Sequence, residues 1–351
     1  MEYSKYFRIS TTFESVNEYS RNLGRVDVKY GADIYEYMSQ DIVNNTLEPQ
    51  ERFILPNSRD FTFDCTADPL PQGTIRLNYK KANGAPNVFV QWMYQHAAIA
   101  AKGDKSLSEV FGGASFVGFS GIFESLAKCL YDPGYLLTNG VNNTDFKMTA
   151  TKIEGVIFMS WNKPSSVPVT PGVQKVNSYR FTPSVVSFGS VLKRKEIKIL
   201  TIAKTDSYED NRTPVEEKYF NTSNKDEFWK DQNRNIQRSL QHYFKMEICG
   251  MGTIKYTFVD GETQELSHDE VFDKAFDGDE RSKKRSEEIF KNMKTFLAKI
   301  LSEVKENLQE GHFCEIEFIR EAENRREWGS GKFTITYRGQ VEGPVFLNEF
   351  K

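Results

Sequence analysis

One long amphipathic helix is the sequence feature that most constrains the fold. Apolar residues recur at helical spacing over residues 282–309, at Ile289, Met293, Phe296, Leu297, Ile300, Leu301, Val304 and Leu308. This spacing gathers the apolar side chains on one face of the helix, and that face must be covered by another layer of the protein. Gly311 stands where a C-cap glycine belongs, so the helix is predicted to end just before it.

Short runs with the two-residue periodicity of β-strands lie on both sides of this helix. The predicted strands are 6–10, 26–30, 61–65, 74–79, 146–153, 155–161, 192–203, 253–259, 314–320 and 332–338. Further helices are predicted at 88–101, around 123–130 and at 226–245, and the polar segment 205–225 is predicted to be a long surface loop. This order of elements predicts an α+β fold with mixed β-sheets flanked by helices.

The chain shows no internal boundary. No repeat, heptad array or Pro/Gly/Ser-rich linker interrupts its 351 residues, so a single domain is predicted. Within it, residues 1–106 are expected to form N-terminal strands and a helix that pack on a core made by residues 107–340.

Composition narrows the class of protein. The net charge of −3 offers no basic surface to nucleic acid as a whole, so contacts with phosphates would depend on local clusters. The four cysteines form no CxxC pair and the four histidines show no zinc-ligand spacing, which favours a reduced intracellular protein, nuclear and/or cytoplasmic. No stretch of about 18 apolar residues occurs, so no membrane partner is expected.

The sequence Glu196-Ile197-Lys198 is the first candidate for chemistry. It lies on a predicted strand, where alternation places Glu196 and Lys198 on the same face. There the carboxylate can hold Mg²⁺ or Mn²⁺ while the ammonium orients the attacking water. A solvated strand face would produce the same pattern, and that alternative stays open.

Two further candidates lie on predicted helices. Glu124 follows the apolar pair Ile122 and Phe123, and an ionised carboxylate buried there needs a metal or a hydrogen-bond donor to compensate it. The alternative is a surface glutamate that points outward. Gln241, on the predicted helix 226–245, can position a water or a phosphate oxygen, or it can simply be a polar surface residue.

With these residues in their order, the chain resembles the DXO/Rai-type decapping and 5′-3′ exoribonuclease family over residues 110–335. That family has a PD-(D/E)xK nuclease-like core, and its members remove incomplete or noncanonical caps from RNA 5′ ends with a divalent metal. The resemblance implies that Glu124, Glu196, Lys198 and Gln241 are the catalytic residues, with Glu124 and Glu196 as metal ligands. The segment around Glu124 departs from the family motif Gly-apolar-x-apolar-Glu, because Ser120 and Gly121 occupy its first two places.

Other family positions are degenerate. The Glu-x-Asp motif corresponds to Ser160-Trp161-Asn162, so both acids are absent and Asn162 is left as a weak candidate metal ligand. A family arginine that contacts the substrate phosphate corresponds to Met93.

The resemblance therefore implies a protein that recognises an RNA 5′ end or a nucleotide cap with lost or much reduced catalysis, and that binds Mg²⁺ or Mn²⁺ only if active. This expectation depends on Glu124, Glu196 and Lys198 converging on one pocket. No DNA partner is expected, and a protein partner is left unspecified. Two alternatives stay open: an active metal-dependent decapping nuclease, and a non-enzymatic protein-interaction module.

Overall fold

The fold is known from a computed structural model, which describes part of the chain. The described residues are 5–9, 18–19, 21–30, 52–54, 62–64, 108, 111–128, 145–161, 178–190, 192–205, 207–209, 213–220, 232–258, 262–274, 280–320 and 331–340. None of the helices in these ranges combines the length and the hydropathy that a membrane crossing requires.

The main sheet is mixed. The described residues contribute nine strands to it, in the spatial order β1 Lys5–Ile9, β15 Gly331–Gln340, β14 His312–Arg320, β6 Phe146–Ile153, β7 Val156–Trp161, β5 Phe116–Phe119, β9 Lys195–Thr205, β8 Ser178–Gly189 and β2 Arg25–Tyr30. Strand β5 runs parallel to both β7 and β9. All other neighbours in this sheet are antiparallel. The three parallel strands therefore end at the same edge, in the middle of the sheet.

Two smaller sheets and four helices complete the described elements. One sheet has the order β10 Ser207–Glu209, β11 Thr213–Phe220, β12 Thr253–Phe258 and β13 Thr263–Ser267, and the other pairs β3 Arg52–Ile54 with β4 Thr62–Asp64. The helices of the described chain are α1 Ser120–Lys128, α2 Gln232–Cys249, α3 His268–Asp273 and α4 Glu280–Asn307.

The helices cover one face of the main sheet. Ile197 and Ile199 of β9 belong to the same buried cluster as Phe123 of α1, Leu240 of α2 and Phe296 of α4. Because side chains alternate along a strand, residues in register with Ile199 point toward the helices and their neighbours point away. We call these two surfaces of the main sheet the helix side and the far side.

The long amphipathic helix is confirmed as α4, within two residues of its predicted ends. Its predicted stripe is buried throughout, from Ile289 to Leu308. Gly311 adopts a φ of +72°, which lets the chain turn from the helix into β14. The predicted α+β architecture and single domain are confirmed, because one buried cluster joins the helices to the main sheet and to the four-stranded sheet.

The prediction of a surface loop over residues 205–225 is wrong. This segment contains β10 and β11, and β11 pairs in parallel with β12, with Glu216 opposite Ile254. The charged residues of β11 replace the apolar residues by which a buried strand is recognised in a sequence. One of these charged residues, Glu216, is nevertheless only 2% exposed. Strand β8, which contains Pro183, was not predicted either.

Several predictions fall outside the described residues. They are the strand 74–79, the helix 88–101, Met93 and Asn162. The division of the domain at residue 106 stays a prediction.

Candidate functional site

The candidate site forms where β5 passes directly into α1. A Cβ atom at Gly118 would lie 3.0 Å from Cβ of Met159 and 3.5 Å from the Phe123 ring, so glycine lets β5, β7 and α1 pack this closely. The helix starts two residues later and places Glu124 one turn inside it. Ile122, Phe123 and Leu126 are fully buried on the helix side, and Glu124, at 7% exposure, is largely buried beside them.

Gln241 compensates this buried carboxylate. Its Nε2 donates a hydrogen bond to Oε1 of Glu124 over 2.5 Å, across 117 residues of sequence. Burial of an ionised carboxylate is tolerated when donors replace the lost water, so the pair satisfies the requirement stated for Glu124 from the sequence. The structure therefore brings together two of the predicted site residues.

Two lysines lie beside this pair. Lys128, one turn after Glu124 on α1, places Nζ 4.0 Å from the same Oε1 atom. Lys245 lies one turn after Gln241 on α2 and therefore on the same face of that helix. Burial opposes the charge of Lys245, but the Glu216 carboxylate, together with that of Glu124, raises the pKa of Lys245 above its ordinary value. Lys245 is thus held as an ammonium.

Strand β11 contributes a second carboxylate. Lys245 and Lys218 both donate to Oε1 of the buried Glu216. Burial alone would raise the pKa of Glu216, but the two ammonium groups hold it below its usual value. We call the group Glu124, Lys128, Glu216, Lys218, Gln241 and Lys245 the lysine-carboxylate cluster.

The β11 half of this cluster was missed from the sequence. Glu216-Glu217-Lys218 is itself a Glu-x-Lys pattern on a strand, with the same alternation that drew attention to Glu196 and Lys198. This Glu-x-Lys pattern could have identified the site, but it lies in the segment 205–225, which the sequence predicts to be a loop.

Glu196 and Lys198 do not join the cluster. Ile197 between them and Ile199 after them point to the helix side, so Glu196 and Lys198 point to the far side. Both are exposed near the start of β9: Glu196 lies 3.8 Å from Nε of Arg194, and the ammonium of Lys198 lies beside Gly113.

The predicted convergence of these two residues with Glu124 is therefore wrong. Strand periodicity placed Glu196 and Lys198 on one face correctly, but it could not say which face the helices cover. Their catalytic and metal-binding roles stay predictions without a shared pocket to support them.

Ser160 also lies away from Glu124. Its neighbour Met159 is in register with Gly118 and belongs to the helix-side cluster, so Ser160 points to the far side, where it is 1% exposed. The strand positions flanking Gly118 on the helix side are Met159 and Thr201, and neither carries a charge.

The family resemblance implies a divalent metal, and the residues around Glu124 do not fit one. Such cations need several oxygen ligands with uncompensated negative charge. Here one oxygen of Glu124 accepts an amide N–H and lies near an ammonium, and Glu216 is paired with two lysines. Across the described ranges, no group of three or more His, Cys, Asp or Glu side chains is arranged to hold a metal ion.

Comparison with known proteins agrees with the resemblance at the level of fold. No family model matches the chain. No curated protein matches it in sequence. Among solved structures, the chain is similar to a triple mutant of S. pombe Rai1 in complex with 3′-FADP, with a TM-score of 0.51 and 12% identity over 95% of this chain and 99% of that one.

Two other solved structures are similar to the chain at lower scores. Dxo1 of K. lactis in complex with manganese has a TM-score of 0.47 and 10% identity, over 97% of this chain and 99% of that one. Rai1 of Scheffersomyces stipitis in complex with (3′-NADP)+ and calcium ion has a TM-score of 0.46 and 11% identity, over 77% of each chain.

Proposed function

We propose that this protein, a chain with the fold of the Rai1 and Dxo1 proteins, recognises RNA 5′ ends or nucleotide caps and has lost most or all of the hydrolytic activity of that family. The observation that carries the proposal is the lysine-carboxylate cluster. The cluster is a largely buried, polar site that includes Glu124 and Lys128 of α1, the helix that follows the central parallel strand β5. Ligands bind near the ends of such strands in many sheets with helices packed on them. The S. pombe Rai1 structure holds 3′-FADP, a ligand class that we extend to this chain.

The charges in the cluster argue against metal-dependent hydrolysis. Metal-assisted phosphoryl chemistry uses carboxylates to fix cations that then stabilise the attacking and leaving oxygens. In this chain Glu124 accepts from Gln241 and lies 4.0 Å from the Lys128 ammonium, and Glu216 is paired with Lys218 and Lys245, so each carboxylate already faces a cationic side chain of the protein. Binding of an RNA end requires only donors and positive charge, which the same cluster has.

The proposal is tested by separating binding from turnover. Purified protein is incubated with Mn²⁺ and three RNAs that carry a 5′-triphosphate, an unmethylated cap or an NAD cap. We expect the protein to retain these RNAs in a filter-binding assay while product is released no faster than in a reaction without protein. Fast release of product from any of the three would contradict the loss of hydrolysis.

The alternative of a protein-interaction module gives a different outcome in the same assay. Such a module would bind none of the three RNAs above the level of an unrelated acidic protein. That result would remove the proposed function, whatever the rate of hydrolysis.

A further inference from the structure

We infer that the lysine-carboxylate cluster binds a phosphate group directly through lysine ammonium groups, without a bridging divalent cation. This inference rests on the proposed function for its ligand, a 5′-phosphorylated RNA end. The inference goes beyond that function because it assigns the binding of the phosphate to lysine side chains of this chain and not to a metal ion.

The lysine-carboxylate cluster has a net positive charge. Three lysines, Lys128, Lys218 and Lys245, face two glutamates, Glu124 and Glu216, so the net charge is 3 − 2 = +1. A metal site built from carboxylates has the opposite sign before it is loaded. The cluster therefore attracts an anion and repels a divalent cation.

The lysines and the carboxylates of the cluster differ in their exposure to solvent. The lysine side chains are the more exposed groups, at 32% for Lys128, 29% for Lys218 and 18% for Lys245. The carboxylates lie deeper, at 10% for the Glu124 side chain and 2% for that of Glu216. A ligand arriving from solvent therefore meets lysine side chains before it meets the carboxylates, one of which, Glu216, holds Lys218 and Lys245 in place.

Lys128 and Gln241 both lie at Oε1 of Glu124. The Lys128 ammonium is 4.0 Å from Oε1 of Glu124, beyond hydrogen-bond distance, so its three N–H donors are not consumed by that carboxylate. The Gln241 amide group uses one of its two N–H donors on the same oxygen. Ammonium and amide donors of this kind suit the oxygens of a terminal phosphate.

The test measures affinity for a short single-stranded RNA with a 3′ fluorescent label, by fluorescence anisotropy on the full chain. The RNA is made with a 5′-monophosphate and with a 5′-hydroxyl, and each is titrated in excess EDTA and in Mn²⁺. We expect the 5′-phosphate to be preferred in EDTA, with the same preference in Mn²⁺ within about twofold, which corresponds to about 0.4 kcal/mol.

Lys128→Gln is the variant that isolates the site. It should weaken binding of the 5′-phosphorylated RNA about fivefold, as expected for one partly exposed ion pair. It should also lower the slope of log affinity against log salt by about 0.7, and leave the 5′-hydroxyl RNA unchanged. Lys128→Arg keeps the charge and should keep the preference. Lys255→Gln is the matched control, because Lys255 pairs with Glu265 on the surface of β12 and carries the same charge outside the cluster.

The outcomes separate the inference from the proposed function. A preference for the 5′-phosphate that appears only with Mn²⁺ would overturn the inference and leave the proposed function standing. Equal binding of the two RNAs in both buffers, or no binding, would remove the proposed function itself. An unchanged preference in Lys128→Gln, with an unaltered melting temperature, would overturn the inference as well.

Discussion

At the scale of single residues, Glu247 is buried in a way that disfavours its ionised form. It lies on α2, and both α2 and α4 pack against β2. Its Oε2 atom is buried and has no hydrogen-bond partner among the described residues. Burial raises the pKa of Glu247 to about 7; Lys294 of α4 opposes this rise and Asp27 of β2 adds to it. The folded protein therefore binds a proton here that the unfolded chain releases.

This residue predicts a pH dependence of stability. Because the folded state holds the proton more tightly, the free energy of unfolding falls as the pH rises from the ordinary glutamate value of about 4.3 toward 7. The full penalty, on the order of 3 kcal/mol, is reached above that range. Glu247→Gln should remove it, so the melting temperature should increase at pH 8 and hardly change at pH 5. Thermal unfolding followed by circular dichroism at both pH values measures the difference.

The control for this prediction is Glu287→Gln, an exposed glutamate on α4. It should leave the melting temperature nearly unchanged at both pH values. An equal gain for Glu247→Gln at pH 5 and pH 8 would mean that charge is not the cause of the effect.

At the scale of elements, one ion pair connects α2 to the four-stranded sheet. Lys245 of α2 donates to Glu216 of β11, which is 2% exposed. The same helix also contacts β12, where the Tyr256 hydroxyl lies 2.7 Å from Nδ1 of His242. Polar contacts thus hold α2 in the position that brings Gln241 to Glu124.

Removing Lys245 should destabilise this junction strongly. Lys245→Ala leaves Glu216 buried with Lys218 as its remaining described partner, and breaking a buried pair on one side costs about 3–5 kcal/mol. Urea unfolding at neutral pH measures the loss. Glu216→Gln combined with Lys245→Gln removes both charges and should cost much less, because no uncompensated charge stays buried.

The matched surface change is Lys255→Ala, which breaks the exposed pair with Glu265. It should cost less than about 1 kcal/mol. If Lys245→Ala were as mild as Lys255→Ala, the junction would not depend on the buried pair.

At the scale of the whole molecule, the two sides of the main sheet decide which residues can act together. Glu124 and Gln241 meet on the helix side, whereas Ser160, Glu196 and Lys198 point to the far side. A sheet separates these groups, so a single pocket cannot include them all. The chain has the fold of S. pombe Rai1. The residues that the family resemblance would assign to one site are nevertheless divided between two surfaces.

Restoring the missing acids should therefore fail to restore activity. Ser160→Glu combined with Asn162→Asp recreates the Glu-x-Asp motif in sequence, but it places the new carboxylate at position 160 away from Glu124. We expect no Mn²⁺-dependent cleavage of 5′-phosphorylated RNA, and a lower melting temperature because position 160 is 1% exposed. Ser160→Ala is the control for folding. Appearance of cleavage that EDTA abolishes would contradict the expectation that a metal site in this chain needs Glu124 on the same side of the sheet as the restored acids.

Much of the fold could be predicted from local patterns. Helix α4 and strands β6, β7, β9 and β14 follow from apolar periodicity, since burial of one face imposes a period of 3.6 or 2 on the residues themselves. Strands β8 and β11 could not be predicted in this way. Pro183 interrupts the first, and the charges of the second are balanced by Lys245 from a distant helix.

The sequence by itself determined the α+β class and the long helix, and it identified Glu124 and Gln241 as candidate site residues. Only the tertiary structure decided that Glu124 is buried with Gln241 as its donor, that Lys245 of the same helix pairs with Glu216, and that Glu196 and Lys198 face away. The physical reason is that periodicity records which residues share a face of one element. Which elements cover that face depends on strand order and helix packing, and these are properties of the assembled chain.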